Sequence, residues 1–152
     1  MENEIINPNL GNPIYKKLHI QLATFFGGPL AIVYILAENF RQLGYTEKIR
    51  KTWILGVLFC LLFISSVIMM QFSFKTPSYL PSLIAILIGT AIMQSWQGDD
   101  IKYHMENGGP VYSLGRALLI GIISLVVTII FIIFLLLILN NMFGINISEN
   151  SR

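Results

Sequence analysis

Charged side chains fall in clusters along this chain, and four long intervals between the clusters hold none. Leu18–Ala37 contains no Asp, Glu, Lys or Arg, only His19 near its start. Thr52–Phe74, Thr76–Gly98 and Ala117–Ser148 are equally free of them. A helix that crosses the roughly 30 Å hydrocarbon layer needs about 20 mostly apolar residues. The pattern therefore predicts four spans, 20–37, 53–70, 80–96 and 117–139, with short tails at 1–17 and 141–152, all within a single membrane domain covering 1–152. In the fourth span only Ser124 and Thr128 are polar. Pro77 and Pro81 bracket the start of the third, as expected where the first N–H groups of a helix need no partner.

The first span carries Gly27, Gly28 and Pro29 at its middle. Pro29 removes one backbone hydrogen bond and pushes against the preceding turn, so a kink is expected there. A broken or re-entrant helix whose ends bind something is the functional alternative. It is disfavoured because no ionisable or strongly polar residue lies within a turn of Pro29. The expected fold is thus an all-α membrane protein, a compact bundle of four transmembrane helices with the first kinked at Gly27-Gly28-Pro29.

Composition narrows the class further. The chain is 55% hydrophobic and 12% charged, with a mean hydropathy of +0.70, against roughly 25% charged in soluble domains. That excludes a soluble enzyme, a disordered tail and a secreted mini-protein. A formal charge of +2 leaves no basic surface for nucleic acid, and the single cysteine, Cys60, excludes an internal disulfide or a cysteine-rich zinc site. The N-terminal stretch begins acidic and lacks a basic region and an Ala-x-Ala site, so it reads as an irregular tail and not a cleaved signal.

Four crossings place the 38–52 and 97–116 loops on one face, with six Lys and Arg, and the two tails with the 71–79 loop on the other, with four. Lys and Arg in excess mark the cytoplasmic side, so both termini are expected outside, although Lys16 and Lys17 argue the other way. Trp53 and Trp96, with Tyr45 and Tyr103 nearby, fall at headgroup depth on the first face.

Helices in lipid associate through close packing of small residues. Ala23, Gly27 and Ala31 supply such a face on the first span, Gly56 and Cys60 on the second, and Ala85 and Gly89 on the third. Ala117, Gly121, Ser124 and Thr128 do so on the fourth. No charge lies within any predicted span, which argues against a proton-coupled transporter. The candidate interfacial polar residues are Glu38, Asn39, Gln97, Asp100 and His104. Glu38 is expected to pair with Arg41 or Lys48, or to be solvated. Asp100 and His104 are four apart and could form an ion pair or contribute two metal ligands, but no third ligand is placed to join them. The segment 97–110 reads more simply as an amphipathic stretch along the membrane surface. No phosphate-binding loop, dinucleotide fingerprint, nucleophile elbow or zinc-protease motif occurs, so no catalytic, cofactor or metal residue is expected.

Two stretches carry a resemblance. TFFGGPLAIVYILAENFRQLG, residues 24–44, resembles a recurrent F-x-G-G-P … N-F-x-x-L-G pattern of small uncharacterised bacterial multi-pass inner-membrane proteins. WQGDDIKYHMENGG, residues 96–109, is similar to the companion Q-G-x-x-I-x-x-H-x-x-x-G-G pattern of the same proteins. The matched positions are Gly27, Gly28, Pro29, Asn39, Gly44, Gln97, Gly98, His104, Gly108 and Gly109. The resemblance implies a bacterial inner membrane and brings no catalytic residue. The function expected is structural or partner-binding work within the membrane, without enzymatic activity, on the lipid bilayer and with a second copy or another membrane protein. A small transporter or channel, as a single copy or a dimer, with a pore near the Gly-Gly-Pro break is the alternative.

Overall fold

The computed structural model describes residues 10–73, 77 and 79–143. The rest of the predicted tails, with Lys75 and the C-terminal Arg152, lie outside them. The fold is all-α: α1 Lys17–Gln42, α2 Thr46–Ser73, α3 Leu80–Glu106 and α4 Leu114–Phe143. By length and composition each of these four helices could cross a membrane, as expected of a multi-pass membrane protein, but α1 does not run straight. The segment expected to lie along the membrane surface from Gln97 is instead the last part of α3, which runs on as helix to Glu106.

The kink in α1 is at Gly28, whose φ of 62° and ψ of −153° leave the helical region altogether. A side chain at that φ would crowd the following carbonyl, and glycine has none. Pro29 disfavours helical geometry in the residue before it and suits the first position of a new helix. Together they divide α1 into two half-helices, 17–27 and 29–42.

The change of direction is a reversal. A straight helix of 26 residues would hold its ends about 39 Å apart. Yet Asn39 Oδ1 lies 2.7 Å from the backbone nitrogen of Tyr15, and Tyr15 stacks on Tyr112, whose hydroxyl bonds Glu38. Both ends of α1 therefore lie at one end of the bundle, beside the 43–45 and 107–113 connections. The halves, about 16 and 21 Å long at 1.5 Å per residue, carry the turn to about the middle of the hydrocarbon layer. This corrects the expectation that the N-terminal segment shares a face with the end of α4: the reversal at Gly28 puts it on the opposite one. It also resolves the conflicting lysines, since Lys16 and Lys17 join the six other Lys and Arg at that end, eight of the ten in the chain.

The folded-back α1 is the core. α2, α3 and α4 each pack on it and scarcely touch one another. The small residues make these approaches possible. A Cβ on Gly27 would sit 2.6 Å from the Gly121 carbonyl oxygen, and one on Gly121 would sit 2.9 Å from that of Ala23. Gly56 lies under Val33, and Gly89 under Ile32. Ala23, Ala31, Ala85 and Ala117 are fully buried. Cys60 is half-buried and faces an apolar cavity beneath the hairpin tip.

Candidate functional site

The polar side chains of the bundle converge at its basic end, where the base of the hairpin meets α3, α4 and the chain just before α1. Ile14 and Tyr15, from the stretch read as an irregular tail, are fully buried there. Ile14 pairs with the strand-like segment before α4: its N–H donates to the Pro110 carbonyl at 3.2 Å, and its carbonyl accepts from Tyr112 N–H at 3.0 Å. Its side chain joins the core, which strips both segments of water, so their backbone groups need these partners.

Asn39 holds the next residue. Its Oδ1 accepts from Tyr15 N–H at 2.7 Å, and its Nδ2 donates to the Tyr15 carbonyl at 2.8 Å and to Gln97 Oε1 at 3.1 Å. Tyr15 supplies one donor and one acceptor side by side, which fixes the orientation of the Asn39 amide. Gln97 completes the chain by donating from Nε2 to the Leu36 carbonyl at 2.8 Å. Both amides are buried, and each is engaged through its nitrogen and its oxygen.

Glu38 lies beside this network, 5% exposed. Arg41 binds it at 2.6 Å, Gln42 Nε2 donates to it at 2.8 Å and the Tyr112 hydroxyl at 3.0 Å. Arg116, 3.9 Å away, also stacks over the Tyr112 ring. Of the two expected partners it is Arg41 that pairs. Lys48 lies instead over the ring of Tyr45, 3.9 Å from its centre. A carboxylate taken out of water is tolerable when donors replace its hydration in this way.

Asp100 and His104 take separate partners. Tyr45 donates its hydroxyl proton to Asp100 at 3.1 Å. The His104 ring is fully buried, with Nε2 3.0 Å from the Pro110 carbonyl and Gly109 packed on its face. A carbonyl accepts only, so Nε2 carries the proton. Gly108, at φ 73°, closes α3 with two backbone bonds, Gly108 N–H to Met105 and Gly109 N–H to His104, which turn the chain back over this ring. Among the described residues no three His, Cys, Asp or Glu side chains gather into a metal-binding group.

Tyr15, Tyr112 and His19 are the members that sequence reasoning missed. His19 Nδ1 accepts from Lys16 N–H at 3.1 Å and caps α1. The Tyr15 hydroxyl is buried without a hydrogen-bond partner among the described residues, and that burial pushes its pKa up to about 12 although Arg116 pulls the other way. Burial, with the Glu38 carboxylate adding to it, also raises that of Tyr112. An aromatic residue just ahead of both the first and the last helix was the one available signal. Chemically, the arrangement ties the base of a hairpin shut.

Compared with family models, with curated proteins and with solved structures, the chain finds no match in any of the three.

Proposed function

We propose that this protein works inside a membrane as a structural or partner-binding component, without an enzymatic role. The observation that carries the reading is the inversion of α1, which forms the centre of the bundle while α2, α3 and α4 turn long apolar faces outward. Ile54, Leu58 and Leu62 on α2 and Leu119, Ile123 and Ile130 on α4 are more than half exposed. In water such surface would be untenable; in a bilayer it meets acyl chains or another helix. Its polar groups support the same reading, since Asn39 and Gln97 are engaged with each other and with the backbone, and Glu38 with Arg41, Gln42 and Tyr112. The space at the Gly-Gly-Pro break gives little to a pore: the cavity of about 180 Å³ there is lined by Pro29, Leu30, Val57, Leu61 and Phe131 among others, with Thr128 the one hydroxyl among the described residues that line it.

The charge distribution orients the molecule. Eight of ten Lys and Arg at the hairpin base assign that end, with the N-terminal segment, to the cytoplasm and the end of α4 to the opposite side. The bacterial inner membrane is the setting that the motif resemblance favours. The partner is a second copy or another membrane protein, and no nucleic acid is involved.

Reconstitution tests this. The protein should co-float with liposomes and resist alkaline carbonate, and donor- and acceptor-labelled copies, or a copy and a co-purified membrane protein, should exchange energy at dilute protein-to-lipid ratios. Release by carbonate would end the membrane reading. A protein that stays monomeric in lipid and retains no partner would end the partner-binding one.

A further inference from the structure

Because α2 and α3 pack on α1 and scarcely on each other, a groove runs between them over the returning half of the hairpin. At the basic end it opens as a cavity of about 350 Å³ between Lys48 and Lys51, floored by Phe40, Leu55 and Trp96. Leu55 and Trp96 also line a second cavity, of about 250 Å³, which continues deeper past Val33, Phe59 and Ile92. Two chemistries thus follow one another along a single slot. Cations stand at the mouth, an indole lies at the junction, and apolar side chains line the depth.

Neither Lys48 nor Lys51 makes an ion pair with a carboxylate among the described residues, and both side chains are exposed. Lys48 is held at the mouth by the Tyr45 ring, 3.9 Å from its ammonium, while the Asp100 carboxylate nearby accepts from Tyr45. Of the other basic groups at this end, Arg41 and Arg116 are engaged by Glu38 and Lys102 by Glu106, and Lys16, Lys17 and Arg50 are not among the residues lining the cavity. We infer that this groove is a binding site for one anionic phospholipid, its phosphate between Lys48 and Lys51 and an acyl chain in the slot beneath Trp96. Charge complementarity selects the headgroup, and the apolar continuation selects a lipid over a soluble anion. The cytoplasmic leaflet, where the basic end belongs, is the one enriched in such lipids. The inference rests on the membrane reading above.

Trp96 reports on the site directly. In a Trp53→Phe background it is the sole tryptophan, and the protein is reconstituted in phosphatidylcholine vesicles. A minor fraction of phosphatidylglycerol with brominated chains should quench Trp96 more strongly than the same fraction of brominated phosphatidylcholine. The preference should be roughly fivefold for each lysine, from about 1 kcal/mol per cation near the surface. Lys48→Gln with Lys51→Gln should abolish it. Arg50→Gln with Lys102→Gln, an equal charge loss at the same end, should leave it. Equal quenching by the two lipids overturns the site, as does a preference that survives the first pair or vanishes equally with the second. Competition by soluble glycerophosphate as strong as by the lipid would remove the acyl slot from the proposal. Failure of the protein to float with the vesicles would instead sink the membrane reading itself.

Discussion

Asn39 reads the backbone of Tyr15, accepting from its N–H at 2.7 Å and donating to its carbonyl at 2.8 Å across 24 positions of sequence. Between the two stands a helix broken at one glycine, and this pair of bonds joins the chain entering the hairpin to the chain leaving it. Asn39→Leu removes three hydrogen bonds and leaves the Tyr15 N–H and carbonyl and the Gln97 Oε1 without these partners in a buried setting. Each orphaned group costs about 1–3 kcal/mol, so the thermal midpoint in detergent should drop by several degrees. An unchanged midpoint would mean that the latch contributes nothing.

The reversal at Gly28 makes a topological prediction. In oriented vesicles, single cysteines at Lys17 and Lys51 should react with a membrane-impermeant maleimide from the same side, and one at Asn141 from the other. Gly28→Val forces a β-branched residue to a φ of 62°, at a cost of about 1–3 kcal/mol, and should destabilise the protein or release the position-17 cysteine from its side. Labelling of positions 17 and 51 from opposite sides would refute the hairpin.

Glu38 and Arg41 form one ion pair with unequal consequences. The Glu38 side chain is 4% exposed and the Arg41 side chain 62%. Arg41→Gln leaves Gln42, Tyr112 and Arg116 around the buried carboxylate and should cost about 1 kcal/mol, the loss of a single donor. Glu38→Leu strips partners from Gln42 and Tyr112 as well and should cost about 2–3 kcal/mol in chemical denaturation. Equal effects would show that the burial of Glu38 has no energetic weight.

The orphaned hydroxyl of Tyr15 invites a stabilising change. Tyr15→Phe removes a buried polar group that has no partner among the described residues and should raise stability by about 1 kcal/mol. The same group makes a pH signature. Burial raises its pKa in the fold to about 12, above the ordinary tyrosine value of about 10, so the fold binds this proton more tightly than the unfolded chain does. The contribution is therefore complete below pH 10 and declines as pH climbs toward 12. Melting curves across that window should show the decline in the parent protein and a shallower one in Tyr15→Phe.

Helix packing gives a last prediction. Gly27→Leu drives a side chain into the Gly121 carbonyl and Ser124 and should cost at least the 1–3 kcal/mol typical of overpacking, whereas Gly98→Ala, whose Cβ would meet only Gln94 at 3.7 Å, should be nearly silent. Matched melting curves would exclude the close α1–α4 approach.

Much of the architecture is legible in linear order. Charge-free intervals locate the four helices because membrane solvation is a local and additive property of each segment, and the small residues on them mark where backbones can approach. Gly27, Gly28 and Pro29 announce a break. The residues within a turn of Pro29 carry no polar sign that the break is a reversal. The groups that hold this hairpin are at its base, Asn39, Gln97 and Tyr15, remote from the break in sequence and in space.

Hydropathy along the chain was thus enough to establish the helical membrane class and the extent of its apolar segments. The tertiary structure alone decided the direction of the second half of α1, the side on which the chain enters, and the burial of Glu38, Asn39 and His104. Those outcomes depend on one backbone dihedral at Gly28 and on hydrogen bonds between residues tens of positions apart, and neither leaves a periodic trace in the order of the amino acids.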